Sequence, residues 1–153
     1  MHKWLVLGIT GTLAAGVSIA ALAQGTSGNA AAREIATAQV HARVAYKMDS
    51  VAGAQLHLHH AVNCLVGVNG TGYDAAAEKL SANPCKGLGH GALSDSAGNA
   101  RLHGTLETAL TDAQAGLKSD DLKTVHADAG KLVAALKAAH RQVHHQATPS
   151  SAR

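Results

Sequence analysis

The stretch LETALTDAQAGLKSDDLKTVHADAGKLVAALKAAHRQVHH, from Leu106 to His145, decides the fold. Its apolar residues, and those just upstream, recur every three or four positions, as they do on one face of an α-helix. Ser119-Asp120-Asp121 divides the pattern in two and favours the start of a second helix. The short connection between the two helices predicts an antiparallel hairpin. The two apolar stripes are Leu102, Leu106, Ala109, Ala113 and Leu117, then Leu122, Val125, Ala129, Leu132, Leu136, Ala139 and Val143.

Upstream of this hairpin the sequence predicts one long helical segment, from about Ala30 to Leu65. Asn29 is the predicted cap at its start, and Asp95 or Ser96 is the predicted cap of the helix that contains Leu102. The long segment is either a single rod or bends near Asp49-Ser50 and Gly53. Its apolar stripe is Val44, Met48, Val51, Leu58, Val62 and Leu65.

Composition supports an all-helical fold. Alanine is abundant, and the only aromatic residues after residue 23 are Tyr46 and Tyr73. Alanine favours helices, whereas β-branched and aromatic residues favour strands. We therefore predict an all-α protein, an antiparallel bundle of three to four helices with a long loop.

The loop runs from Gly67 to Gly98 and is rich in glycine, with turn-forming residues around Pro84. Cys64 and Cys85 are the chain's two cysteines. In an exported protein two cysteines usually form a disulfide, and this one would pin the loop to the end of the preceding helix. The alternative is a free Cys64 that acts as a metal ligand or nucleophile.

The N-terminus has the features of a cleavable signal peptide. A cationic start, Met1-His2-Lys3, precedes an uncharged stretch from Trp4 to Leu22 and the small-residue site Ala21-Leu22-Ala23. We predict a signal peptide at 1–23, a periplasmic helical domain at 24–147 and a disordered tail at 148–153. A retained membrane anchor is the alternative, since the uncharged stretch approaches the roughly 20 residues that span a bilayer.

Net charge bears on the partners of the exported chain. The chain has 13 Lys and Arg against 10 Asp and Glu, and loss of Lys3 with the signal peptide leaves a charge of +2. With no long basic run to neutralise phosphates, nucleic acid is not a predicted partner. No membrane contact is expected after cleavage, while an envelope protein or a second copy of the chain remains possible.

Histidine is the residue that points to function. Ten of the chain's 11 histidines lie after residue 23. Neutral imidazole suits Cu(II), Ni(II) and Zn(II), and histidines three or four apart on a helix share a face. His57 with His60 and His140 with His144 have this spacing, and His90, His103 and His126 are candidates to complete a site. The predicted ligands are His57, His60, His126, His140 and His144, with His41, His59, His90, His103 and His145 as secondary candidates.

Each histidine also has an ordinary structural interpretation. A single one such as His41 or His103 is commonly hydrogen-bonded or solvated, and those at a helix C-terminus complement its dipole. If the imidazoles bind metal, protons should compete with it below about pH 6.5, the pKa of free histidine.

The stretch from Leu106 to His145 resembles the small periplasmic metal-binding proteins of bacteria. In that family, up-and-down helices carry repeated histidines and bind several divalent metals, copper prominently. His126, His140 and His144 match this pattern, over about a third of the chain after residue 23. The resemblance implies a metal-binding protein rather than an enzyme, with Cu(II) favoured over Ni(II) or Zn(II).

Two further functions fit the sequence. One is a structural or interaction bundle of the cell envelope, whose histidines have no metal role. The other is a b-type haem held between Met48 and a histidine of the last helix. The motifs for c-type haem attachment and for serine hydrolases, Cys-x-x-Cys-His and Gly-x-Ser-x-Gly, do not occur.

Overall fold

The computed structural model describes residues 20–147, with side chains from 28 to 145. This part of the chain is helical, without strands, which confirms the predicted all-α class. The predicted signal peptide, apart from its last four residues, and the predicted tail at 148–153 lie outside the described residues. Among the described helices, none combines the length and the apolar character needed to cross a membrane. The helices are α1 (Ala20–Ala45), α2 (Val51–Val66), α3 (Ala77–Leu80), α4 (Ala92–Asp95), α5 (Ala100–Leu117) and α6 (Leu122–Ala147).

The first long segment is two helices rather than one rod. α1 ends at Ala45. Ser50 caps the start of α2, and its Oγ accepts a hydrogen bond from the backbone N–H of Gly53 at 3.3 Å. The chain reverses in between, so that α1 and α2 pack against each other. The predicted cap at Asn29 is wrong, because α1 already begins at Ala20 and Asn29 lies inside it.

The buried face of α1 also differs from the predicted stripe. Its fully buried apolar residues are alanines except for Ile35, whereas Val44 is only partly buried. A stripe drawn through a continuous helix loses its register at the turn after Ala45, because the residues there are no longer helical. The α2 part of the stripe is confirmed by the burial of Leu58, Val62 and Leu65. The buried row of α1 is Ala31, Ile35, Ala38, Ala42 and Ala45.

The hairpin of α5 and α6 is confirmed. Both predicted stripes form the core, and only their end residues Leu117, Leu122 and Val143 are partly exposed. The predicted cap of α5 is wrong: Asn99 caps it, and its side chain accepts a hydrogen bond from the N–H of Leu102. Asp95 ends the separate single-turn helix α4 instead, since the chain turns again before α5.

The loop between α2 and α5 is ordered by several contacts. Cys64 and Cys85 form the predicted disulfide, with their Cα atoms 5.2 Å apart, so Cys64 is not a free thiol. The Asn63 side chain donates to the carbonyl of Asp74 at 2.9 Å and accepts from its N–H at 2.8 Å. The loop is therefore fastened to the last turns of α2.

A buried pair of carboxyl groups fastens the other end of the loop to α1. Glu34 is 1% exposed, and its Oε1 accepts a hydrogen bond from the N–H of Gly91 at 2.9 Å. Asp95 accepts from the N–H of His90 at 3.0 Å. Burial, and then the neighbouring Asp95, raise the pKa of Glu34 to about 7, against the opposing effect of the Gly91 hydrogen bond. Gly89 packs directly against both carboxyl groups, and a Cβ at this position would collide with them.

Candidate metal centre

Three histidines meet where α1 packs on α2. His41 comes from α1, and His57 and His60 come from successive turns of one face of α2. One ring nitrogen from each lies within 4.8 Å of the other two. The ring centroids are 5.3, 5.0 and 5.9 Å apart, so the three rings form a nearly equilateral triangle. The group could hold a metal ion.

The distance between two of the nitrogens suits a shared ion. Nδ1 of His41 lies 3.1 Å from Nδ1 of His57. Metal–nitrogen bonds to imidazole measure about 2.0–2.1 Å, which places two neighbouring nitrogens of one ion roughly 2.9 Å apart in a tetragonal site and roughly 3.3 Å apart in a tetrahedral one. An ion can therefore replace the hydrogen bond between these two rings with little movement of the helices.

His60 has an unusual environment for a buried histidine. It is 1% exposed, and neither of its ring nitrogens has a hydrogen-bond partner. A buried polar group without a partner costs about 1–3 kcal/mol, and for this reason such groups are rare in native proteins. A metal ion bound between the three rings would give His60 the missing partner.

The electrostatics of the group favour neutral imidazoles. Burial, and then the neighbouring His60 and His57, lower the pKa of His41 to about 4. Burial, with His60 as the second cause, also lowers the pKa of His57. Only the neutral ring has a lone pair to give to a metal. At pH 7 these two rings are therefore in the neutral form that can donate a lone pair to a metal.

The candidates for a third ligand proposed from the sequence are elsewhere. The His126 ring Nε2 lies 2.7 Å from the carbonyl oxygen of Met48, to which it donates. His103 Nδ1 lies 3.0 Å from the carbonyl oxygen of Leu93. His90 is in the loop, with its ring Nδ1 3.2 Å from Asp95. The third histidine of the group is His41, because the turn after α1 folds it onto α2.

His59 points away from its neighbours in sequence. Its Nδ1 lies 2.9 Å from the carboxylate of Asp74, in the loop. This agrees with the helical geometry, since adjacent residues differ by about a quarter turn or more in direction.

The C-terminal histidines form a second, smaller group. The rings of His140 and His144 on α6 meet edge to face with centroids 4.4 Å apart, and His145 is exposed. Nδ1 of His140 is buried without a hydrogen-bond partner. Burial, followed by His144 and then Arg43, lowers the pKa of His140. The structure thus keeps this predicted pair together, and apart from His57 and His60.

A short sequence repeat contains two of the three histidines of the group. Residues 38–41 read Ala-Gln-Val-His and residues 54–57 read Ala-Gln-Leu-His. In both copies the alanine is fully buried, and a second buried alanine follows four residues after the histidine, at Ala45 and Ala61. The repeat is the signal that would have joined His41 to His57, which simple spacing on a helix cannot do.

The contact between Met48 and His126 gives no support to the haem alternative. Met48 and His126 are close, but the contact between them is the hydrogen bond from the imidazole to the Met48 carbonyl. That bond uses the nitrogen Nε2, one of the two with which the ring could ligate iron.

No protein family, curated protein or solved structure matches the chain.

Proposed function

We propose that this protein binds one copper ion through His41, His57 and His60 and acts in metal buffering, carriage or tolerance in the periplasm. The observation that supports the proposal most directly is the buried ring of His60, which has two unpartnered nitrogens and faces two other imidazoles. Three nitrogen ligands suit Cu(II), Ni(II) or Zn(II), and the general order of affinities places Cu(II) first. No turnover is proposed.

The proposed role as an envelope bundle without metal explains less of the structure. It leaves His60 buried without a partner, and it assigns no purpose to three histidines placed within one ion's reach of each other. Metal binding gives one of the His60 nitrogens a partner and uses all three rings. The two functions differ in what they predict for single substitutions in α2.

Replacing His57 with glutamine should weaken copper binding by at least about tenfold, because one of three ligands is lost. The measurement is isothermal titration of purified protein with Cu(II), repeated with Ni(II) and Zn(II). The background should be the double variant His140→Gln/His144→Gln, which removes the pair on α6 from the titration.

The matched control is His59→Gln, two residues further along α2. Its ring contacts Asp74 and takes no part in the group, so its copper affinity should stay within about twofold of the parent. Equal losses in the two variants, or no binding by the parent, would contradict the proposed site and favour the envelope-bundle function.

Copper binding should persist further into acid than free histidine would allow. The pKa of His41 is about 4 and that of His57 is lowered, so protons compete for these rings only below the ordinary range of histidine. Because two of the three ligands resist protonation, we expect affinity to fall less steeply between pH 7 and 5.5 than it would for three free imidazoles, and to be lost as the pH approaches 4. Titrations at pH 7, 5.5 and 4.5 test this, and a steep fall between the first two would contradict it.

A further inference from the structure

The number of ligands in the metal centre has a chemical consequence. Among the residues that the structure describes, the group consists of three histidines, with no fourth histidine, cysteine or carboxylate. Cu(II) prefers four or more ligands in a tetragonal arrangement. Closed metal sites that only support a fold have four protein ligands, whereas sites with three keep a position for water or another small ligand.

The burial of the three rings indicates the side from which a further ligand would approach. His60 is fully buried, so its side of the group is closed by the helices. His41 and His57 are each partly exposed, and their side of the group faces solvent. A ligand arriving from solution would therefore approach past His41 and His57, opposite the ring of His60.

Charge selects the kind of ligand. Neutral imidazoles do not reduce the charge of a divalent ion, and the group includes no acid. Asp74, the acid on the loop beside α2, is engaged by His59, while Glu34 lies seven residues from His41 along α1 and is bonded to the loop. A doubly charged ion in a partly desolvated site is unfavourable unless an opposite charge accompanies it.

We propose that the bound copper keeps one coordination position open to solvent and fills it with a small anion from solution. This inference rests on the proposed function, because it needs copper in the three-histidine group. The step is a ligand exchange: a copper-bound water leaves, and a lone pair of the anion forms the new bond. No electron is transferred. The net charge of the centre falls from +2 to +1.

An open position also bears on how the ion leaves. An incoming donor can bind the copper before any histidine is released, so the ion can pass to another molecule by stepwise exchange. A fully enclosed four-ligand site would have to lose a protein ligand first. The inference therefore fits carriage of the ion better than a permanent structural role.

The test uses the His140→Gln/His144→Gln protein loaded with one equivalent of Cu(II) and titrated with azide. We expect a saturable azide-to-copper charge-transfer band and a changed electron paramagnetic resonance spectrum, both with a stoichiometry of one azide per copper. The same titration of the His59→Gln variant in this background should give the same result. The His57→Gln variant should lose both the tightly bound copper and the azide signal.

Two negative results separate the inference from the proposed function. If copper binds with one-to-one stoichiometry but azide changes neither spectrum, a protein group fills the fourth position and the inference is wrong while the function stands. If the protein binds no copper, or if His57→Gln keeps the full azide signal, the proposed centre itself is wrong and the inference falls with it.

Discussion

Replacing Glu34 with glutamine is expected to raise the free energy of unfolding at pH 8 by about 3 kcal/mol, from the linkage between proton binding and folding. The pKa of Glu34 is about 7 in the folded protein and 4.5 for the free side chain. The protonated form is thus the one that the fold favours. Its stabilising contribution is fully present below pH 4.5 and is lost as the pH rises through 7. Glutamine has the same shape as the protonated acid and keeps that contribution at every pH.

The contacts of Glu34 show why the amide should be tolerated. Its oxygen can accept the hydrogen bond from the N–H of Gly91, as Oε1 does now, and its NH₂ would replace Oε2, which is buried without a partner near the carboxylate of Asp95. Urea unfolding at pH 4 and pH 8 is the measurement. The two proteins should be equally stable at pH 4 and differ at pH 8, and a difference that does not depend on pH would contradict the argument.

A surface glutamate is the control for this change. Glu107 has 65% of its side chain exposed, and its contact with His103 measures 3.6 Å. The substitution Glu107→Gln should change the free energy of unfolding by less than about 0.5 kcal/mol at either pH. The comparison separates the effect of burying an acid from the general effect of removing a negative charge.

Removing the disulfide should lower the free energy of unfolding by roughly 3 kcal/mol. The bridge joins Cys64 to Cys85, 21 residues apart, and a closed loop of this size restricts the unfolded chain by about that amount. The variant is Cys64→Ala/Cys85→Ala, and thermal unfolding should show a midpoint lower by about 10 °C. The loss arises mainly in the unfolded state, so α1, α2, α5 and α6 should keep their helical signal below the transition.

Reduction of the native protein with a dithiol provides an independent measurement of the same quantity. The reduced protein should match the double variant, and the reductant should leave the variant unchanged. A reduced protein as stable as the oxidised one would show that contacts such as those between Asn63 and Asp74 hold the loop without the bridge.

The sequence predicts those parts of the fold that depend on neighbours along the chain. The hairpin of α5 and α6 follows from two clear stripes separated by Ser119-Asp120-Asp121, and the disulfide follows from having two cysteines. The residue that caps α6 is Asp121, whose side chain accepts a hydrogen bond from the N–H of Thr124 at 2.8 Å. The sequence does not single out Asn99 as the cap of α5, because serine, aspartate and asparagine occur at several positions from Ser94 to Asn99. Which of these residues caps a helix depends on where tertiary packing ends that helix.

The three-histidine group depends even more on contacts between residues that are distant along the chain. His57 and His60 share a helix face and could be paired by counting residues. His41 could not, because on a continuous rod the 16 residues to His57 would span about 24 Å. Only the reversal between Ala45 and Ser50 brings the two rings together, and the sequence leaves that reversal as one of two possibilities. The sequence therefore identifies histidine as the candidate ligand type, but it does not determine the turn between Ala45 and Ser50 that places His41 beside His57.

The repeated Ala-Gln-x-His tetrapeptide gives the metal centre an approximate internal symmetry. α1 and α2 lie antiparallel, and the histidine that ends each copy presents the same atom, Nδ1, to the other at 3.1 Å. The two copies thus contribute equivalent atoms to the contact between α1 and α2. His60 has no equivalent on α1, where Val44 occupies the corresponding position. The hairpin of α1 and α2 therefore contributes two matching histidines, His41 and His57, and a third, His60, that has no counterpart on α1.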